Sequence, residues 1–84
     1  MLIHIKDKHP TLKELQEFVG GYIEVAYAPN GDQIIMDEEG KLKNKPINWE
    51  ATELWLGKKS IEDFPIHDYI VGDVIILSGK AKLE

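Results

Sequence analysis

Apolar residues recur along this chain with two periods, and each change of period marks an element. Met1 to Ile5 reads as a short first strand, and Pro10 stops the polar turn after it. Leu12, Leu15, Phe18 and Val19 then follow at helical spacing, with Lys13, Glu14, Gln16 and Glu17 on the opposite face. Thr11 stands as the N-cap, and Glu14 three residues on completes a capping box. Gly20 and Gly21 end the helix, because glycine takes the left-handed C-terminal conformation without steric cost. From Tyr22 to Ala28 the period drops to two. Ile23, Val25 and Tyr27 share one face; Tyr22, Glu24 and Ala26 share the other. Asn30-Gly31 favours a tight turn, and Gln33 to Asp37 returns as the partner strand. Glu38-Glu39-Gly40 makes a second turn, and Lys41-Leu42-Lys43 is predicted as a short third strand of a meander.

Asn48 can cap a second helix from Trp49 to Leu56, ended by Gly57, with Leu54 and one of the two tryptophans toward the core. A weaker segment runs from Ile61 to Phe64, before Pro65. Val74 to Leu77 is apolar at every position, which places it inside a sheet. Ser78 to Glu84 reads as a charged, frayed tail. The expectation is one α+β domain over residues 1–84: a small antiparallel sheet with one or two helices packed on it. Its predicted core is Leu12, Leu15, Phe18, Ile23, Val25, Ile34, Met36, Val74 and Ile76.

Composition narrows the function classes. The chain has no cysteine, which removes disulfides, thiolate metal sites and a thiol nucleophile. A secreted domain of 84 residues would usually need crosslinks, so a cytoplasmic location is expected. The first residues are not expected to act as a signal peptide, and no apolar run approaches the ~20 residues of a membrane span. Net charge is −5 and all ten basic residues are lysines, which argues against duplex nucleic acid as a partner. A core this thin makes a homo-oligomer a fair expectation.

Chemistry-bearing positions are few. His4, His9 and His67 lack the close pairing of a metal site. Asp37-Glu38-Glu39 lacks the alternating oxygen ligands of a calcium loop and reads as a solvated turn. Neither a metal nor a cofactor is expected. Glu24 lies inside an apolar strand, either facing solvent on a one-sided sheet or anchoring a polar contact in a concave site. Lys41, Lys43 and Lys45 alternate just before the helix start at Asn48, where unpaired N–H groups attract anions. Trp49 could lie flat against a base and Thr52 could donate a hydrogen bond. The same parts also describe a plain capped helix with solvated lysines. No serine sits in a nucleophile elbow, and there is no phosphate loop. The chain is therefore not expected to be an enzyme.

Leu12-x-x-Leu15-Gln16-x-x-Val19-Gly20-Gly21-Tyr22-Ile23-Glu24-Val25 resembles the opening of a small domain of unknown function found in phages, prophages and plasmids. The acidic turn and basic stretch Asp37 to Lys43, the Ile47-Asn48-x-x-Ala51-Thr52 helix start and the closing Ile70-Val71-Gly72-Asp73-Val74 match it in order. Trp49 and Trp55 are departures from that pattern. The resemblance implies a short protein of a mobile element, acting inside an infected bacterial cell. Small phage proteins of this kind include sponges such as Sequestin and Lockin, which sequester nucleotide signals of bacterial immunity without catalysis.

The leading expectation is therefore a non-catalytic binder of an ADP-ribose derivative or cyclic dinucleotide, in a pocket at a subunit interface. Adenine would stack on Trp49, Tyr22 or Tyr27. Phosphates would meet Lys43, Lys45 and the helix start at Asn48, beside Thr52. Glu24 or Asp37 would accept hydrogen bonds from ribose or an exocyclic amine. One alternative is an interaction module that blocks a host protein through Glu62, Asp63, Asp68 and Asp73. Another is a nucleotide hydrolase with Glu24 or His67 as general base.

Overall fold

The computed structural model describes residues 1–57 and 69–83. Within them the chain forms β1 (Leu2–Ile5), α1 (Leu12–Val19), β2 (Ile23–Tyr27), β3 (Gln33–Asp37), α2 (Trp49–Leu56), β4 (Val74–Leu77) and a 3₁₀ turn, Gly79–Ala81. The strands lie in one sheet in the order β1-β4-β3-β2. The pairs β2–β3 and β3–β4 are antiparallel, whereas β1 runs parallel to β4, so the sheet is mixed. The predicted segment Ile61 to Phe64 lies outside the described residues.

Register explains the core. Ile3, Ile75, Ile35 and Val25 stand side by side across all four strands. They face α1, whose Leu15 and Val19 are fully buried against them. The opposite face is covered too: Ile34, Val74 and Ile76 pack with Ala51 and Trp55 of α2 and with Ile70. Two covered faces account for a central strand, β4, with all four side chains buried.

Local signals set the helix ends. Thr11 Oγ1 accepts from Glu14 N–H (3.1 Å), and the Glu14 carboxylate accepts from Thr11 N–H (3.0 Å). That bond holds the Glu14 carboxyl below its ordinary pKa. Gly20 closes α1 at φ 87°, in the left-handed region.

Four expectations need correction. Lys41 to Lys43 forms no strand: Lys43 N–H returns to Glu39 C=O, Asn44 N–H to Lys41 C=O and Lys45 N–H to Gly40 C=O, coiling the segment into turns. Leu54 points outward, 44% exposed, while of the two tryptophans Trp55 is the one that packs toward the core, as expected of one of them. Leu12 is likewise 56% exposed, because α1 seats the sheet through Leu15, Phe18 and Val19. The end of the chain is tied down through residue 83. Ala81 is fully buried, and the Gln33 side chain bonds both the N–H and the C=O of Leu83 (2.6 and 2.8 Å).

Candidate functional site

The two lysines expected to meet phosphate are engaged inside the fold. Asp37 ends β3 with its side chain only 1% exposed, and its Oδ2 lies 2.8 Å from both Lys43 Nζ and Lys45 Nζ. Its Oδ1 accepts from Glu39 N–H at 2.9 Å. The same ammonium groups donate to the end of α1, Lys43 to Gly20 C=O and Lys45 to Val19 C=O. Those carbonyls are the negative pole of the helix and lack intrahelical partners. Burial pushes the Asp37 carboxyl up, but the hydrogen bonds from Lys43, Lys45 and Glu39 more than reverse it and hold it far below the carboxylate range. Gly21 makes room for this clasp: a Cβ there would sit 2.8 Å from Lys43 Nζ and 2.9 Å from Asp37 Oδ1.

The start of α2 is similarly committed. Asn48 Oδ1 accepts from Ala51 N–H (3.0 Å) as the cap, while its Nδ2 donates to Gly72 C=O (2.9 Å). Thr52 is buried, with Oγ1 donating to Asn48 C=O and accepting from Ile70 N–H (3.0 Å). Both side chains tie α2 to the strand-leading segment 70–73. Trp49 beside them is 47% exposed and borders a shallow depression with Ile47 and Asp73.

A better-formed cavity opens on the α2 face of the sheet. It is a cleft of about 290 Å³ floored by Glu24, Ala26 and Met36. Trp55 of α2, the segment Tyr69 to Val71 and the turn carrying Glu38, Lys41 and Leu42 form its walls. Glu24 is exposed within it, so the acid inside the apolar strand stands on a concave surface rather than a bare sheet face. Lys41 Nζ lies 4.8 Å from the centroid of the Tyr69 ring, a cation–π geometry. Asp37 also lines the cleft, but its carboxylate is held by the two lysines.

Along nearly its whole length, residues 2–83, the sequence matches the family model described as a domain of unknown function, DUF3846. The chain belongs to the DUF3846 family. No curated protein and no solved structure matches it.

In this DUF3846 domain the expected ligand residues therefore fall into separate places. Glu24 and Asp37 border the cleft; Lys45, Asn48 and Trp49 border the other depression; Tyr22 lies with Lys43 near Gly21. Tyr27, 61% exposed, stands at the far end of β2. Met36, Trp55 and Tyr69, which sequence reasoning left out of the site, supply the largest part of the cleft's apolar and aromatic side chains. The one local signal pointing to it was Glu24.

His4 Nε2 lies 2.6 Å from Ser78 Oγ, and His9 Nδ1 lies 3.2 Å from Lys82 C=O. His67, Glu62, Asp63 and Asp68 lie outside the described residues. Asp73 pairs with the Met1 amine at 2.9 Å. Among the described residues, no group of three His, Asp or Glu side chains could hold a metal, and no helix is long and apolar enough to cross a membrane.

Proposed function

We propose that this DUF3846 domain binds the nucleoside end of a nucleotide-type ligand in the cleft between α2 and the β2–β3 face, and holds it chemically unchanged. The observation that carries this reading is the lining: Trp55, Tyr69 and Met36 offer apolar and aromatic surface beside the exposed carboxylate of Glu24. A base needs a flat apolar contact, and its exocyclic amine or the ribose hydroxyls need an acceptor. Size and charge refine the reading. At 290 Å³ the cleft stands at the lower edge of small-molecule sites, ~300–1,000 Å³, so it suits one nucleoside rather than a whole dinucleotide. Glu24 and Glu38 against Lys41 favour hydrogen-bond donors over phosphates. The phosphates would therefore leave the cleft past Lys41.

The resemblance to domains of mobile elements supplies a use for such a binder. Inside an infected bacterial cell it withdraws an ADP-ribose derivative or cyclic dinucleotide that signals immunity. Incubation with ADP-ribose, cyclic di-AMP and cyclic di-GMP tests this. The supernatant is analysed before and after the protein is denatured. Depletion followed by release of intact ligand supports the reading. Release of fragments would mean hydrolysis, and no depletion would remove the nucleotide class.

A further inference from the structure

We propose that β2 is a dimerisation strand, which pairs antiparallel with β2 of a second copy about a two-fold axis at Val25. Glu38 N–H donates to Tyr22 C=O and Ala28 N–H donates to Asp32 C=O, both at 2.9 Å, so both residues turn their backbone toward β3. Direction alternates along a strand. Glu24 and Ala26 therefore also face β3, and the N–H and C=O groups of Ile23, Val25 and Tyr27 point away from the sheet. Among the described residues no hydrogen bond reaches these groups from another segment. β2 lies at the sheet's edge and carries no lysine or proline to discourage pairing.

The occupant follows from the side-chain pattern, which is self-complementary about Val25. Val25 meets the partner's Val25, and Ile23 meets the partner's Tyr27, each pair exchanging both backbone bonds. On the cleft face Glu24 meets the partner's Ala26, and Tyr22 meets the partner's Ala28. No like charges stand directly opposite; the two Glu24 side chains are diagonal neighbours, farther apart than a directly opposed pair. A register centred on Glu24 would set two carboxylates directly opposite each other and is disfavoured. The pairing also covers the two most exposed aromatic side chains that flank the edge, Tyr22 at 70% and Tyr27 at 61%. An aromatic ring beside a β-branched residue is a favourable cross-strand pair. Glu24 and Ala26 line the cleft, so two clefts would share one face of a continuous sheet. A ligand with two nucleoside ends would suit that pair; this consequence rests on the proposed function, whereas the dimer does not.

Light scattering with residue-resolved amide hydrogen exchange tests the inference on the intact chain. The expected result is a mass of twice 9.6 kDa at micromolar concentration. The amides of Ile23, Val25 and Tyr27 should then be protected like those of Glu24 and Ala26, and lose protection on dilution. A monomeric mass overturns the proposal. So does a dimer in which those three amides exchange freely, because its interface lies elsewhere.

Discussion

Asp37 shows how much a single side chain organises here. It pairs with two lysines that also hold the α1 carbonyls, so one carboxylate joins β3, the 38–45 turns and the end of α1. Removing both lysines leaves that carboxylate without its cations. Breaking a fully buried pair on one side costs ~3–5 kcal/mol. Lys43 is 41% exposed, so water can replace part of its contact. Lys43→Ala/Lys45→Ala should then lose about 2 kcal/mol in urea unfolding, rather than remain a silent surface change. The pH dependence follows from the lowered folded-state pKa of Asp37. Its stabilisation is fully present above the unfolded value, ~3.9, and drains away as pH falls from there toward the folded value. Chemical melts between neutral pH and pH ~2 should show a steeper acid loss for the native chain than for Asp37→Asn. The paired glycines were readable as a helix stop. That Gly21 clears space for Lys43 was not, because the lysine lies 22 positions on.

At the scale of elements, cap and period signals located α1, β3, α2 and β4, since each signal is contained within a few neighbouring residues. The alternation Lys41-Leu42-Lys43 misled for the same reason. It mimics a strand locally, while the pull of Asp37 and the α1 carbonyls on Lys43 and Lys45 acts from elsewhere. Asn44 at φ 55° marks the bend this requires. Leu54 and Leu12 misled because an apolar side chain need not be buried. α2 offers a test of a double role. Asn48→Ala loses the cap and the bond to Gly72, ~1 kcal/mol each, so about 2 kcal/mol in all. Asn48→Asp keeps the cap acceptor but has no N–H for Gly72 C=O. Thermal melts should place it about midway between native and alanine variants.

Across the whole molecule, the parallel pairing of β1 with β4 joins residues some seventy positions apart, such as Leu2 and Val74. No local pattern announces such a pairing. The cleft was hidden for the same reason: β2, β3, α2 and the segment near Tyr69 each contribute to it. Glu24 alone hinted at it, as an acid in an apolar strand. The anion site expected before α2 has its lysines and Asn48 already bonded within the fold. Glu24→Gln should leave stability nearly unchanged, because the side chain is exposed, and should weaken nucleotide binding about ten-fold by calorimetry, the loss of one charge-assisted hydrogen bond. The most direct measurement is a two-dimensional NMR titration of the folded chain with ADP-ribose and with cyclic di-AMP. Shifts concentrated at Glu24, Met36, Trp55 and Tyr69 are the predicted result. Shifts at Lys45, Asn48 and Trp49 instead, or none with either ligand, would contradict the cleft as a nucleotide site.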